Sequence, residues 1–227
     1  NAYFVDPARR SGTRTATGSR ALPERDPERW SPPLSRVLAR SQSAAVFMKA
    51  APAFEPPVGW ARYCISLDRN LVEMFTTNAH SGTFAVVIDS KTATTSVLTA
   101  TNFAPSDRNQ QLEKYLYELD PAVTRAQMGS QQAHDKKLSE LGTKGMWLTG
   151  RDALFGPYWR CFMVHDTFPV KEIAQKVAHL PGVAIKNKDS QQDFTVLRKA
   201  AKKPDHNAWA VVITSINGQE MAVLVSR

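Results

Sequence analysis

The sequence is short of cysteine and of long apolar runs, and each shortage excludes a class of protein. Two cysteines among 227 residues, with no CxxC pair, exclude a scaffold built on disulfides and a structural zinc site made of cysteines. No stretch approaches 18 consecutive apolar residues, so we expect no membrane-spanning segment. The content of 42% apolar and 22% charged residues is that of an ordinary globular protein.

Motifs for catalysis, metal binding and nucleotide binding are also missing. The sequence has no HExxH and no His/Cys ligand spacing, and GTKG at 142–145 lacks the GxxxxGK[ST] spacing of a phosphate-binding loop. We interpret GTKG as a loop that follows a helix. The sequence therefore predicts no catalytic residue, no metal, no cofactor and no small-molecule substrate, and hence a protein that is not an enzyme.

Positive charge is in excess but is not concentrated. The net charge is +8, and it is divided evenly between residues 1–59 and residues 60–227. Nucleic-acid binders usually gather Lys and Arg on one face. The densest runs are best interpreted as solvated faces; they are Lys136 with Lys137, Lys186 with Lys188, and Arg198, Lys199, Lys202 and Lys203.

The first 59 residues differ from the rest in composition. They contain eight of the fourteen prolines, which disfavour sheet interiors and long helices, so we predict an extended arm with one short helix between Leu34 and Met48. The beginning is rich in Arg, Ser and Thr, as in the sequence that follows an organellar transit peptide, which predicts a location in the mitochondrial matrix. We expect four aromatic residues of the arm to bind neighbouring proteins: Phe4, Trp30, Phe47 and Phe54.

Residues 60–227 are predicted to form one α+β domain built from two similar β-α-β-β modules. Module one covers 60–104, a helical connection covers 105–150, and module two covers 151–227. In module one a strand ends at Asp68, which caps a short helix, and a hairpin follows. In module two a helix begins after Asp166 or Thr167, and Asn217 with Gly218 forms the tight turn of the closing hairpin.

The two hairpins are alike in sequence. At an offset of 125 residues, AVVI and one serine are identical, at 85–88 with Ser90 and at 210–213 with Ser215. The likeness fits either a duplication or two strands that share a pleated environment. Both alternatives predict antiparallel hairpins forming one or two sheets, with helices packed on one face.

Cys64 and Cys161 occupy matching strand positions in the two modules. They could form a redox pair, but free cysteine is among the most buried residue types and neither has a histidine beside it in the sequence. We interpret both as small buried hydrophobic residues.

Two His-Asp pairs are candidates for acid-base chemistry. His165 and Asp166 lie between a strand and a helix, where the carboxylate suits a helix N-cap. His134 and Asp135 are adjacent on a polar helix, about 100° apart around its axis, so we do not expect their side chains to meet. We interpret neither pair as catalytic.

Aromatic residues on strands raise a second hypothesis, which is contact with RNA. Single-stranded RNA is often bound by aromatic rings on an exposed sheet. Six aromatic residues lie on or beside predicted strands: Tyr63, Phe84, Tyr158, Trp159, Phe162 and Trp209. They stand in apolar alternation without an RNP pattern, which favours the core.

One stretch resembles a known family. From Tyr158 onward come a strand, a helix that ends in Pro-Gly-Val, a second strand and AVVITSINGQEMAVLV, and this order is similar to a module of the vicinal-oxygen-chelate (glyoxalase-like) superfamily. The resemblance covers some 70 residues and implies a metal held by His or Glu on the first and last strands. The first strands offer Arg and Cys and the last offers Glu220, so the resemblance implies a degenerate enzyme.

From these features the sequence predicts a non-catalytic accessory subunit of a large mitochondrial complex, of the respiratory-chain or ATP-synthase type. Its partners would be other protein subunits, bound through the arm. The alternatives are a mitochondrial ribosomal or RNA-processing protein and, more weakly, the degenerate glyoxalase-like enzyme.

Overall fold

The chain folds into two compact units. A computed structural model describes residues 1–8, 24–51, 53–102, 111–142, 146–180, 182–187, 194 and 209–227. The first unit comprises 1–100 with 121–126, and the second comprises 101–120 with 127–227. The α+β class is confirmed at this level, because each unit has one large sheet and short helices. The break near residue 100 differs from the predicted boundary at 59.

The first unit contains a sheet of six strands in the order β1-β2-β4-β3-β5-β6. The strands are β1 (Ala2–Val5), β2 (Ala45–Ala50), β3 (Ala61–Leu67), β4 (Asn70–Thr77), β5 (Gly82–Asp89) and β6 (Thr94–Thr99). β1 pairs in parallel with β2, and β3 with β5, while the remaining neighbours are antiparallel.

One face of this sheet is packed and buried. Every second residue of β2 points to it, namely Val46, Met48 and Ala50, and all three are fully buried. Two helices, α1 (Leu34–Ser41) and α2 (Pro121–Arg125), contact the strands of this unit. Arg62 of β3 donates to the carbonyl oxygen of Arg125 at 3.0 Å, which fixes the end of α2 on the same face.

The predicted arm differs from the structure in its described residues, because they contribute to the sheet and core of the first unit. β1 and β2 are neighbouring strands of the sheet, although the sequence indicated a helix reaching Met48. Trp30 and Phe54 are 3% and 7% exposed, with ring centroids 5.3 Å apart. The high proline content favoured an extended arm, although the period-two alternation of AVFMKA is typical of a strand. Residues 9–23 lie outside the described residues.

The helix predicted after Asp68 is strand β4. Asp68 and Arg69 have φ of 48° and 67°, as in the two-residue turn that joins antiparallel strands. The Asp68 carboxylate does not cap a helix. Instead it accepts hydrogen bonds from the Ser90 amide at 2.9 Å and the Ser90 hydroxyl at 2.6 Å. The first module is therefore four consecutive strands, β3 to β6, and not β-α-β-β.

The second unit contains a sheet of seven strands in the order β11-β12-β13-β10-β7-β9-β8. The strands are β7 (Tyr115–Leu119), β8 (Ser139–Leu141), β9 (Trp147–Gly150), β10 (Trp159–Pro169), β11 (Val183–Asn187), β12 (Trp209–Ile216) and β13 (Gln219–Ser226). β11 pairs in parallel with β12. The helices are α3 (Gly129–Lys136) and α4 (Ile173–Val177). Apolar residues lie on both faces of β12, with Val212 in one cluster and Val211 in the other.

Three predicted elements after residue 104 take another form. The predicted helical connection of 105–150 contains the strand β7, and its residues 105–110 lie outside the described residues. The same connection contains two short helices, α2 and α3, parted where Gln127 has φ of 59°, and then strand β8, so the polar helix predicted around His134 and Asp135 is only α3. β10 continues through Asp166 to Pro169, so Asp166 does not cap a helix and instead pairs with Lys176 at 2.9 Å.

The two similar hairpins are present, but in different sheets. β5 pairs with β6 in the first unit, and β12 pairs with β13 in the second. Asn217 and Gly218 have φ of 50° and 77°, which is the geometry of the tight turn that the sequence predicts. The identical residues therefore hold the same position in two hairpins of separate sheets, but Val86 and Ile88 are partly exposed whereas Val211 and Ile213 are fully buried.

Candidate functional site

A row of aromatic side chains crosses five adjacent strands of the first unit. The aromatic row consists of Phe4 on β1, Phe47 on β2, Phe75 on β4, Tyr63 on β3 and Phe84 on β5. Strand register places them on one face, because Phe4 lies opposite Phe47, and Tyr63 lies opposite both Phe75 and Phe84. We call this face of the sheet the open face.

Each ring of the row lies near at least one other ring of the row. Tyr63 and Phe84 are stacked, with centroids 4.6 Å apart and planes inclined by 15°. Phe75 is the centre of the row, with centroid distances of 6.1 Å to Tyr63, 6.0 Å to Phe47 and 6.5 Å to Phe4. These distances are within the range of favourable aromatic pairs. The five rings therefore form one continuous aromatic surface.

The row is accessible, whereas the opposite face is not. Phe4 is 67% exposed, and the other four residues of the row are partly exposed. Val97 on β6 extends the apolar character of the open face and is 53% exposed. On the opposite face, residues such as Cys64 and Met74 have no exposed surface at all. A contiguous apolar surface often marks a binding site, whereas a single exposed apolar side chain does not.

Polar groups within the row are paired with one another. The Tyr63 hydroxyl and His80 Nε2 are 2.6 Å apart, and the His80 ring lies edge-on to Tyr63. Lys49 contacts Glu73 at 3.0 Å and Asp6 at 3.3 Å. The hydrogen bond to Glu73, followed by that to Asp6, raises the pKa of Lys49 above its ordinary value of 10.5. One ammonium group is therefore shared by two carboxylates, so this group of three side chains carries a net negative charge.

Two arginine side chains lie at the β1 edge of the sheet. A cavity of about 210 Å³ there is lined by Tyr3, Phe4, Val5, Pro32, Arg36, Val37, Arg40 and Val46. Arg36 and Arg40 are one helical turn apart on α1 and both are exposed. The Arg40 guanidinium lies 5.6 Å from the centroid of the Tyr3 ring. The described residues that line this cavity include two arginines and no carboxylate, so they favour an anion.

The four aromatic residues predicted to bind partners fall into two groups. Phe4 and Phe47 belong to the aromatic row and are accessible. Trp30 and Phe54 pack against each other inside the first unit, and the Trp30 indole nitrogen donates to the carbonyl oxygen of Glu24 at 3.1 Å. The rings of Trp30 and Phe54 therefore have almost no surface to offer another protein, because the chain itself covers them.

The six aromatic residues considered for RNA contact also divide. Tyr63 and Phe84 lie in the row, whereas Trp159 and Phe162 are buried in the second unit. Tyr158 and Trp209 are partly exposed there, and the His165 ring contacts Trp209 with centroids 4.5 Å apart. Sequence reasoning missed Phe75 because it had assigned that stretch to a helix. The period-two pattern of NLVEMFTT was the signal that could have found it.

The two cysteines fit the structural interpretation. Cys64 is fully buried and Cys161 is partly buried, and both are free thiols. Burial raises the pKa of the Cys64 thiol, although the nearby Arg62 guanidinium opposes the shift. Burial likewise raises the pKa of the Cys161 thiol. A raised pKa disfavours the thiolate, which is the reactive form.

The histidine and carboxylate candidates each make local contacts in the second unit. His165 Nε2 lies 2.7 Å from the Ser226 hydroxyl, while a hydrogen bond from Lys176 lowers the pKa of Asp166. His134 Nδ1 and Asp135 Oδ1 are 3.3 Å apart, which corrects the expectation that these side chains do not meet. Within the described ranges, no three His, Cys, Asp or Glu side chains are placed to hold a metal ion.

Some candidates lie outside the described residues, and these are residues 143–145 of GTKG and the basic residues Lys188, Arg198, Lys199, Lys202 and Lys203. Lys186 is described, and it pairs with Glu118 at 2.8 Å. In the part of the chain that the structure describes, no helix is long and apolar enough to cross a membrane.

Comparison with known proteins identifies a fold but not a family. No protein-family model matches the chain, and no curated protein sequence matches it. The fold is similar to that of a solved structure from Porphyromonas gingivalis W83, described as a "putative methyltransferase", with a TM-score of 0.73 and 15% sequence identity. The likeness covers 100% of this chain and 59% of that protein.

This likeness corrects the functional prediction. A non-catalytic accessory subunit of a mitochondrial complex is contradicted, because the similar structure points to an enzyme. The ribosomal and glyoxalase-like alternatives likewise find no support in that comparison. The non-catalytic prediction rested on the lack of a catalytic motif within these 227 residues. The chain thus shares its fold with a part, slightly more than half, of a protein assigned to methyl transfer.

Proposed function

We propose that this chain is part of a methyltransferase and that it holds the substrate of the reaction. The observation that carries this proposal is the likeness to the P. gingivalis protein, which extends over the whole chain with a TM-score of 0.73. A likeness over 100% of the chain includes both sheets, so it does not depend on one common motif. The mitochondrial location stays a prediction from composition.

The role within the enzyme follows from the shape of the first unit. Its open face carries five linked aromatic side chains on adjacent strands, and the row spans nearly the whole width of the sheet. A small ligand usually occupies a concave pocket that encloses most of its surface. A broad, accessible face suits an extended substrate instead. We therefore assign the open face to substrate binding.

The cavity at the β1 edge does not fit the methyl donor. Methyltransferases commonly use S-adenosylmethionine, whose methyl group is attached to a positively charged sulfonium. Arg36 and Arg40 line the cavity, and their guanidinium groups would repel that charge. In open α/β sheets, nucleotide-like cofactors bind beyond the carboxyl ends of parallel strands, whereas most strand pairs described here are antiparallel. We therefore attribute no donor chemistry to this cavity.

The proposal is tested by measuring methylation in cells of the source organism. Methylated nucleosides and methylated amino acids would be quantified by mass spectrometry with and without the gene. We expect loss of one methylated species in cells that lack the gene, and its return on expression of the unaltered protein. A doubly substituted protein, Tyr63→Leu with Phe84→Leu, should restore much less of that species. The matched control, Phe155→Leu, alters a ring that is 86% exposed in the second unit and should restore it fully. An unchanged set of methylated species would contradict the proposal.

A further inference from the structure

We propose that the cavity at the β1 edge of the first unit binds a small carboxylate with an apolar body, such as an arylacetate or a short alkanoate. The apolar part lies against the floor of the cavity, and the carboxylate lies at the two arginines of α1. The inference goes beyond the proposed function, because binding depends on the first unit alone.

The floor of the cavity is apolar. β1 pairs in parallel with β2, and this register places Tyr3 opposite Val46 and Val5 opposite Met48. Tyr3 and Val5 therefore point to the same face of the sheet as the buried Val46, which is the face that α1 contacts. Val37 of α1 is 3% exposed, and Val46 is fully buried. A ligand in this cavity therefore meets apolar side chains from both the strands and the helix.

The size of the cavity limits the ligand to a small molecule. Its volume is about 210 Å³, and an apolar cavity of about 150 Å³ holds one benzene molecule. The cavity therefore accommodates a benzene-sized ring with a short extension, or an alkyl chain of similar volume. Drug-sized ligands usually occupy pockets of about 300–1,000 Å³, so a molecule of that size would not be enclosed here.

Two arginines supply the charge that selects an anion. Arg36 and Arg40 are one turn apart on α1, and both are exposed and line the cavity. Among the described side chains, neither forms an ion pair with a carboxylate. Glu28, which precedes α1, instead accepts a hydrogen bond from the Ser35 amide at 3.0 Å. Guanidinium groups bind carboxylates through paired, directional hydrogen bonds, so a ligand carboxylate fits this pair.

An anion at this place also reduces repulsion within α1. Like charges four residues apart on a helix destabilise it, and the sequence of α1, LSRVLARS, contains two arginines and no acidic residue. The Arg40 guanidinium lies 5.6 Å from the centroid of the Tyr3 ring, which lines the cavity, so its charge is held at the cavity. Binding therefore gains from the new attraction and from the reduced repulsion between the two arginines.

Other occupants fit these observations less well. An amine would be repelled by both arginines. An anion without an apolar body, such as acetate, would leave the apolar floor without a contact. A neutral apolar molecule would contact the floor but would gain nothing from the charge. The test below includes all three as separate probes.

The test is an NMR titration of the nitrogen-15-labelled 227-residue chain. The probes are phenylacetate, its neutral analogue phenylacetamide, its cationic analogue phenethylamine, and acetate. We expect phenylacetate to bind with a Kd on the order of 1 mM, as for a ligand of this size, and to shift the amide resonances of Val5, Val37 and Val46. Phenylacetamide and acetate should each bind about tenfold more weakly, and phenethylamine should not bind.

Arginine variants test the charged end of the site. Arg36→Gln with Arg40→Gln should weaken phenylacetate binding about tenfold and leave phenylacetamide binding unchanged, because only the charged probe depends on the guanidinium groups. Arg151→Gln removes the same charge from a side chain that is 87% exposed in the second unit, so this control should bind phenylacetate like the unaltered chain.

A further variant fills the apolar end of the site. Val5 lines the cavity and is only partly buried, so the ring of Val5→Phe has room to occupy the cavity. This variant should lose binding of both phenylacetate and phenylacetamide, while its circular dichroism spectrum matches that of the unaltered chain. The matched control is Val72→Phe, which alters a valine of β4 that is 52% exposed and does not line the cavity, and it should bind both probes normally.

The proposal is overturned if phenylacetate shifts no resonance, or if phenethylamine binds as tightly as phenylacetate. It is also overturned if the folded double arginine variant keeps the affinity of the unaltered chain, or if the shifted resonances lie outside α1, β1 and β2. Failure of the methylation test would leave this inference standing, because that test concerns the open face. Loss of probe binding would likewise leave the proposed function standing.

Discussion

The ring of Tyr63 on β3 lies against the ring of Phe84 on β5, with centroids 4.6 Å apart and planes 15° from parallel. The two residues are 21 positions apart in the sequence, yet the parallel pairing of β3 with β5 places them directly opposite each other. Because β4 is inserted at the other edge of β3, Tyr63 also lies opposite Phe75. This pairing makes the aromatic row continuous.

We expect the Tyr63–Phe84 stack to contribute measurably to stability. Urea unfolding of Tyr63→Leu, Phe84→Leu and the double variant should give a coupling free energy of about 0.5–1.5 kcal/mol, towards the lower end because both rings are partly exposed. A coupling of zero would show that the rings do not interact in solution. Tyr63→Leu with Phe155→Leu serves as the control pair and should be additive, because the two residues belong to different units.

Arg62 is expected to be the most sensitive charged residue of the first unit. Its side chain is only 10% exposed; it contacts Glu55 at 3.1 Å and donates to the Arg125 carbonyl oxygen at 3.0 Å. Arg62→Met should lower the free energy of unfolding by about 1–3 kcal/mol, chiefly through the lost bond to α2, since Glu55 remains solvated.

Two comparisons check this interpretation of Arg62. Arg62→Lys should not restore stability, because one ammonium cannot reproduce two divergent bonds of the guanidinium fork. Arg151→Met changes an arginine that is 87% exposed and should alter the free energy of unfolding by less than about 0.5 kcal/mol. Equal effects of Arg62→Met and Arg151→Met would contradict the assigned role.

Much of the local structure could be predicted from the sequence. The predictions that were wrong have physical causes. Period-two alternation identified β3, β5, β12 and β13, and Asn217 with Gly218 identified a turn, because both signals are local. β4 was missed because Asp68 suits a helix N-cap as well as a turn with positive φ. The parallel pairing of β1 with β2 joins residues about 43 positions apart, and no local pattern reports such pairing.

The candidate site was less predictable than the strands. Tyr63 and Phe84 could be proposed individually, but their relation to Phe75 depends on a sheet order in which β4 lies between β2 and β3. An aromatic residue in an alternating strand looks the same whether its face is covered or open. Trp159 and Phe162 show the same pattern as Tyr63 and are buried. Whether a strand face is covered or open depends on what packs against it. In the first unit, α1 and α2 pack on the face opposite the aromatic row and leave the row accessible.

The turn between β12 and β13 should tolerate little change at Gly218. The φ of Gly218 is 77°, and a Cβ added there would meet no atom within 4 Å. Gly218→Ala therefore lowers the free energy of unfolding only because alanine disfavours a left-handed backbone. We expect a loss of about 1–2 kcal/mol in thermal or urea unfolding. Gly59→Ala, at φ of 85° and also without neighbours, should cost a similar amount. A neutral Gly218→Ala would indicate that the turn changes its conformation.

The two thiols should react slowly in the folded protein. Burial raises the pKa of both Cys64 and Cys161, so little thiolate exists near neutral pH. Mass spectrometry after iodoacetamide treatment should show Cys161, the less buried thiol, modified before Cys64, and both modified rapidly in urea. Faster modification of Cys64 than of Cys161 in the folded chain would contradict the burial seen in the structure.

Asp166 and Lys176 should make stability depend on pH in a defined direction. The hydrogen bond from Lys176 lowers the pKa of Asp166 below its ordinary value of 3.8, and the same bond raises the pKa of Lys176 above 10.5. A lowered carboxyl pKa means that the fold favours the ionised form, so this contribution is complete above pH 3.8 and is lost as the pH falls through the lower, folded value.

The raised pKa of Lys176 sets the upper end of the pH range. The ammonium group contributes fully to stability below pH 10.5, and this contribution is lost as the pH rises through the higher pKa of the folded state. The protein with Asp166→Asn should therefore have a lower free energy of unfolding than the unaltered chain between about pH 4 and 10. The difference should shrink in more acidic solution. Urea unfolding at a series of pH values measures this difference. Both side chains are more than 40% exposed, so the effect is small and should weaken in high salt. A difference that grows as the pH falls below 3.8 would show that the carboxylate of Asp166 is not held by Lys176.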